Sequence, residues 1–331
     1  MPPVIRLDRL TKRFGAEIAL DAVSMEVPPG VVFALLGENG AGKTTAIRIM
    51  LGLAQPNSGQ AEVLGLSSSK QGLTIRQRVG YVAERPTLYD WMTVEEIGWF
   101  TAGFYGPGFL PEYAKLVAQF ALPAKKKLKA LSKGTRAKVV LSLALAPQPD
   151  LLVLDEPTSG LDAMVRREFL ESMVDRASLG QPVFLSSHQI VEVERVADIV
   201  AILRNGKLLL VERLDELKAQ VRRLIVTLKD GATTTPALGG QVLAQRWERR
   251  QGDAIVRGIT DGQLAMLRAN EEVAAVEVHP TSLEDIFIAY MQGNGDCPNF
   301  RGHRGEAVVG ENGTVPFGDT NLNLQQEAPR P

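Results

Sequence analysis

The chain has 331 residues, 45% of them hydrophobic and 23% charged, enough for one large domain and a smaller one with ordinary cores. Lys plus Arg number 37 against 38 for Asp plus Glu, a net charge of −1, so no overall field favours a nucleic acid or an anionic membrane surface. A single cysteine, Cys297, excludes an internal disulfide framework and suits a reducing compartment. Met1 to Leu10 already mixes apolar residues with Arg6, Asp8 and Arg9, unlike a signal peptide, and apolar stretches such as Val139 to Ala146 are too short to span a bilayer. The expectation is a soluble chain whose membrane role would require a partner.

Val4 to Val27 reads as two short alternating strands around the turn-like Phe14-Gly15-Ala16. Val31 to Leu36 is apolar on both faces, as a strand inside a parallel sheet must be. A glycine-rich turn follows, and Thr44 to Leu53 has helical spacing through Ile47, Met50 and Leu51. Gly59 to Gly65 suggests an edge hairpin and Val79 to Val82 a strand. From Trp91 to Ala146 the pattern is helical: Thr93 with Glu96 forms a capping-box pair, and Ile97, Phe100 and Phe104 fall on one face. Leu151 to Leu154, Val183 to Leu185 and Ile199 to Leu203 are further strands. Beyond Lys218, strands at Leu224–Leu228, Ala254–Ile259 and Val273–Val278 and helices at Gln263–Asn270 and Leu283–Met291 suit a small α+β domain. Gly293 to Pro331 is poor in apolar residues and is expected to be disordered.

Gly37-Glu38-Asn39-Gly40-Ala41-Gly42-Lys43-Thr44 matches the phosphate-binding pattern G-x-x-x-x-G-K-[ST], with a buried strand before it and a helix after it. Its glycines let backbone N–H groups turn toward phosphate oxygens, and the helix N-terminus adds partial positive charge. Lys43 would reach the β- and γ-phosphates and Thr44, beside Thr45, would coordinate Mg²⁺. Leu151-Leu152-Val153-Leu154-Asp155-Glu156 places two acids at the end of a buried strand, where open α/β sheets bind ligands. Asp155 suits the Mg²⁺ shell and Glu156 the deprotonation of an attacking water. A phosphate loop alone leaves kinase, GTPase and ATPase open.

Leu131-Ser132-Lys133-Gly134-Thr135, Ser159-Gly160-Leu161-Asp162, His188 after a strand and Phe14 occur in that relation to the phosphate loop. Together they resemble the ATP-binding-cassette family over roughly Val4 to Lys218, as its signature loop, D-loop, switch histidine and adenine-stacking aromatic. The resemblance implies that two ATP molecules are sandwiched in a head-to-tail pair of cassettes. Ser132 and Gly134 would then open a helix toward the γ-phosphate held by the second subunit, and Asp162 would bridge the two sites. His188 would hydrogen-bond the γ-phosphate. Four positions depart from the family pattern: Glu84 stands where a glutamine is usual, Lys133 and Thr135 replace glycine and glutamine, and Phe14 replaces tyrosine. Glu84 can still approach Mg²⁺ or water as a carboxylate, while adding negative charge near the triphosphate.

Lys125, Lys126, Lys127, Lys129 and Lys133 form a basic run without interleaved aromatics, expected to be a solvated face rather than a nucleic-acid site. Thr87 to Met92 carries bulky side chains that either pack in the core or, as the resemblance implies, lie near a groove for a cytoplasmic helix of a membrane subunit. His279 reads as a strand-end residue, and Cys297 with His303 does not make a metal site. Ser282 to Phe287 resembles the C-terminus of cassettes serving drug, antibiotic and polysaccharide exporters.

The expected fold is α/β: a P-loop NTPase core with an antiparallel β edge subdomain, an inserted α-helical subdomain at about 91–146, and a small α+β C-terminal domain. The expected divisions are 1–218 for the ATP-binding domain, 219–291 for the C-terminal domain and 292–331 for the tail. The resemblance implies an ATPase with ATP and Mg²⁺, peripheral on the cytoplasmic face of the cell membrane, energising an exporter. Its partners would be separate polytopic permease subunits and a second ATP-binding subunit, identical or related, with no nucleic acid. The alternative is a non-transport member acting in translation, DNA repair or chromosome maintenance. Such members usually show paired cassettes, coiled coils or cysteine-rich modules, and this chain shows one cassette, no heptads and one cysteine.

Overall fold

The computed structural model describes residues 2–232 and 234–292. The expected tail beyond Gln292, with Cys297 and His303, lies outside the described residues.

The chain opens with β1 (Ile5–Phe14) and β2 (Glu17–Val27), antiparallel and joined at Gly15. At 10 and 11 residues they are longer than the short strands expected, because bulges let them bend around the core and continue pairing. β3 (Val32–Leu36) is buried at all five positions and runs into the phosphate loop, and α1 (Lys43–Met50) leaves it. β4 (Ser58–Val63) and β5 (Leu66–Ser67) make the edge hairpin, with Leu64 and Gly65 both at positive φ, as a primed two-residue turn requires. These strands form an antiparallel sheet in the order β2-β1-β4-β5.

α2 (Gly72–Arg78) leads into β6 (Val79–Val82). Three helices follow: α3 (Val94–Ala102), α4 (Phe109–Gln119) and α5 (Lys133–Leu145). The capping box forms as expected, Thr93 accepting from the Glu96 backbone and Glu96 from that of Thr93. Phe104, expected on the inner face of α3, lies past the end of that helix and is 69% exposed. β7 (Leu151–Asp155), α6 (Ala163–Ser178), β8 (Val183–Ser187), α7 (Ile190–Val193), β9 (Ile199–Arg204) and β10 (Lys207–Arg213) complete this part.

The central sheet has six strands in the order β10-β9-β3-β8-β7-β6. It is parallel from β9 to β6, as expected of the core, and β10, a strand not expected from the sequence, adds an antiparallel edge beside β9. Alternate residues feed two cores. Val32, Ala34, Leu36, Leu152 and Leu154 pack on the helical side, while Phe33, Leu35, Leu151 and Val153 face α1 and the antiparallel sheet. Phe33 and Phe184 are register partners on β3 and β8 and stack with centroids 5.6 Å apart. Full burial of each such side chain stabilises the fold by about 1.5–3 kcal/mol.

The remaining elements are α8 (Leu214–Gln220), β11 (Val221–Leu228), β12 (Gln241–Glu248), β13 (Gln251–Arg257), α9 (Asp261–Arg268), β14 (Val273–Pro280) and α10 (Leu283–Gln292). Their antiparallel sheet, ordered β12-β13-β11-β14, has its own core of Leu224, Val226, Val256 and Leu267. Leu283, Ile286 and Tyr290 of α10 instead join the core that contains Val193 of α7 and Leu217 of α8.

Candidate active site

A cleft of about 440 Å³ lies beyond the C-terminal ends of β3 and β7, and His188, after β8, reaches it only through its contact with Glu156. Phe14, the loop residues Asn39 to Thr45, Glu84 and Glu156 line it. The loop takes its course because Gly42 adopts φ 110°, and a Cβ there would stand 2.3 Å from the Ala19 carbonyl oxygen. Only glycine fits that approach. Gly37 and Ala41 are buried beneath the loop, while Asn39 and Gly40 are exposed at its tip.

Lys43 is 5% exposed; its ammonium group donates to Gly37 O at 2.7 Å and Glu38 O at 3.2 Å and forms an ion pair with the Glu156 carboxylate, whose Oε1 stands 3.0 Å away. Two hydrogen bonds and an opposite charge make burial of the ammonium tolerable. The other Glu156 oxygen, Oε2, shares a hydrogen bond with His188 Nδ1 at 2.7 Å and accepts from the His188 backbone N–H at 3.3 Å. Glu156 holds a left-handed backbone, φ 48°, fixed by its N–H donating to Ser186 O and Ser186 Oγ. Strain of this kind persists only where the surroundings over-determine it.

Asp155 is 1% exposed; its Oδ1 accepts from Ser186 Oγ at 2.6 Å, and its buried Oδ2 has no hydrogen-bond partner. A buried carboxylate oxygen without a donor suits a cation. Thr44, half-buried at the start of α1, lines the cleft, and Asp155, the residue before Glu156, lies buried beneath it rather than on its wall. The lining includes four carboxylates, Glu17, Glu38, Glu84 and Glu156, against two cations, Lys43 and Arg85. A polyphosphate entering that field needs an accompanying divalent ion. Among the described residues no three His, Cys, Asp or Glu side chains are placed to hold a metal by themselves, so phosphate oxygens would have to complete the set with Thr44 and Asp155. Glu84 is partly exposed and stands 3.8 Å from Arg85. Burial, and then the charge of Asp155, push the Tyr81 phenol up to about 12.

Phe14 is 56% exposed at the rim, with Lys12 Nζ 5.0 Å from its ring centroid. A flat apolar face beside a phosphate loop suits a purine base.

Ser132, Gly134 and Asp162 do not line this cleft. Ser132 caps α5, accepting from the Thr135 backbone at 3.2 Å, and Asp162 caps α6, accepting from Val165 at 3.0 Å. Gly134 has a packing reason of its own, since a Cβ would stand 2.9 Å from Val165 Cγ2. The sequence reading missed Ser186, whose position inside an apolar strand gave no chemical signal, and Glu192, whose partners are distant in sequence.

The five lysines from Lys125 to Lys133, the last of them opening α5, are exposed, as a solvated face requires, and His279 is a half-exposed residue near the end of β14. Thr87 to Met92 divides: Met92 is buried and Leu88 packs on the core, while Tyr89 and Trp91 are 47% and 64% exposed. Tyr89 meets Phe100 edge-on at 5.2 Å, and Phe100 meets Phe104 at 5.6 Å. No helix among the described residues is long and apolar enough to cross a membrane.

Residues 20–159 match the family model described as ABC transporter. The chain is 31% identical over 306 residues to the bacitracin transport ATP-binding protein BcrA of Bacillus licheniformis, an alignment covering 88% of this chain and 99% of that one. It is 38% identical over 225 residues to the Probable multidrug ABC transporter ATP-binding protein YbhF of Escherichia coli K12, covering 66% of this chain but only 38% of that relative's length. The Nod factor export ATP-binding protein I of Ralstonia nicotianae is 30% identical over 312 residues, 86% of this chain and 93% of its own. A solved ATP-binding subunit of an ABC transporter superposes with a TM-score of 0.60 at 30% identity, covering 65% of this chain and 92% of that one. The fold, the phosphate loop and the near full-length match to BcrA lead to one conclusion: this chain belongs to the ABC transporter family, among its ATP-binding subunits.

Proposed function

We propose that the chain hydrolyses ATP and uses the cycle to energise a membrane exporter built with separate permease subunits. The observation that carries the hydrolytic reading is the meeting of Lys43, at the start of α1, and His188, just past β8, on opposite oxygens of Glu156, just past β7. In this reading Lys43 and the loop amides of Gly40, Ala41, Gly42, Thr44 and Thr45 hold the β- and γ-phosphates, and Phe14 stacks on adenine. Phosphate oxygens compete with Glu156 for Lys43, and a Glu156 so released accepts a proton from the attacking water while His188 orients it. Thr44 and Asp155 would hold Mg²⁺, with Glu84 facing the same ion; its charge would offset that developing on the phosphates.

Ser132, Gly134 and Asp162 stand outside the cleft of their own chain, which supports a reading in which they complete the site of a second ATP-binding subunit, head to tail. Tyr89, Trp91, Trp99 and Phe104 leave an exposed aromatic surface, the kind of surface that protein partners cover. A permease helix docked there would hold the chain on the cytoplasmic face of the membrane. The relatives named for bacitracin transport, Nod factor export and multidrug transport support export. We further propose that residues 1–218 act as the ATP-binding domain, with the helices of 91–146 as its insertion, and residues 219–291 as a separate accessory domain.

Glu156→Gln tests the core of this reading. It should lower phosphate release by about a thousandfold, within the range for loss of a general base, and leave an ATP-dependent dimer on size-exclusion chromatography. Normal turnover in that variant would remove Glu156 from its role. Recovery of the native chain with a polytopic membrane protein supports transport, whereas exclusive recovery with ribosomes or DNA would sink it.

A further inference from the structure

α7 begins two residues after His188, and its Glu192 side chain is only 12% exposed. Glu192 Oε2 accepts a hydrogen bond from Thr158 Oγ1 at 2.8 Å, and Thr158 itself is 2% exposed. Glu192 Oε1 pairs with Arg166 Nη1 at 2.8 Å, and Arg166 Nη2 donates to Leu161 O at 2.9 Å. One carboxylate therefore holds the loop between Glu156 and Asp162 at its beginning directly, and near its end through Arg166.

We propose that Glu192 is a positioning residue for hydrolysis, clamping the loop that follows Glu156 to the segment that carries His188; this rests on the hydrolytic reading above. Both segments already meet at Glu156 Oε2, through the ring and the backbone N–H of His188. Those contacts, with the Glu156 N–H bonds to Ser186, anchor the start of the loop and do not reach its continuation from Pro157. The tie at Thr158, two residues beyond the strained backbone of Glu156, extends the anchorage along the loop and so supports the direction in which Glu156 faces the cleft. Stability alone is a poor reason for this arrangement, because a partly buried ion pair loses most of its attraction to desolvation and solvent screening. A carboxylate meets the chemical demand, since one oxygen accepts the Thr158 hydroxyl while its charge pairs with the Arg166 guanidinium.

Displacing a reacting group by about an ångström costs up to about a hundredfold in rate. Glu192→Ala should therefore lower kcat by about tenfold to hundredfold, while the Kd for a fluorescent ATP analogue stays within about twofold. Thr158→Val, nearly isosteric, should lower kcat comparably without a folding defect. The double variant should be no slower than the slower single one, because both remove the same tie. If Thr158→Val keeps the native kcat, or if the losses of the two variants multiply, the clamp is wrong. It is equally wrong if the loss appears as weaker nucleotide binding. The native chain assayed in parallel separates the two levels: no phosphate release from it would overturn the hydrolytic reading itself, whereas native turnover with unaffected variants overturns only the clamp.

Discussion

The six-stranded sheet and the C-terminal four-stranded sheet dispose of their faces differently. β3, β7 and β8 are buried at every position, whereas β11 alternates buried with partly exposed residues and β12 buries none fully. A strand covered on both faces has only its ends left for chemistry: Asp155, Glu156 and His188 stand at or just beyond strand ends, and Lys43 opens the helix after the loop that leaves β3. A strand covered on one face keeps polar side chains along its length, and Arg223 pairs with Asp253 across β11 and β13. The contrast teaches that substitutions in the second sheet should be felt as stability and those at the strand ends of the first as function. The two regions nevertheless meet: Arg257 of β13 joins Glu212 of β10 and the Tyr290 hydroxyl of α10, and α10 shares a core with α7.

Leu224→Ala probes that separation most severely. Leu224 is fully buried in the C-terminal core, and its truncation should cost about 2–5 kcal/mol in urea unfolding. Nucleotide affinity of the folded fraction should hold; a parallel loss would show that the two sheets act as one functional unit. Lys43→Ala sharpens the opposite side. It removes the cation opposite Glu156 and should weaken ATP-analogue binding about tenfold to hundredfold, from roughly 1.5–3 kcal/mol for a charge-assisted hydrogen bond. Unchanged titration curves would contradict the assignment. The smallest effect is alkaline. Tyr81 on β6 has a phenol raised from 10.0 to about 12, so the folded state keeps a proton that the unfolded chain loses. Its stabilising share is complete below pH 10 and disappears as pH rises toward about 12. Tyr81→Phe should make the alkaline fall in stability shallower, measured as urea midpoints across that range.

Much of the fold is legible in the sequence where a local pattern is strong. Val32 to Leu36 and Leu151 to Leu154 announce buried parallel strands by unbroken apolar runs, and Thr93 with Glu96 announces a helix start that forms as a capping box. Weak patterns were missed. β12 alternates poorly because neither of its faces is deeply covered, and α6 exposes Met164 and Val174 beside a narrow buried stripe of Phe169, Leu170 and Met173. β10 has an apolar centre, but its antiparallel direction depends on the tight turn at Asn205 and Gly206, both at positive φ.

By itself the sequence determined the phosphate loop, the acidic pair at the end of β7 and the family, because these rest on contiguous residues whose chemistry needs fixed spacing. Tertiary structure alone decided that Lys43 and His188 share Glu156, that Ser186 holds Asp155, and that Glu192 ties Thr158 to Arg166. Each of these contacts joins segments more than 25 residues apart or depends on one that does. A residue pattern records which side chains can bond, and only the sheet order brings the particular pairs within reach.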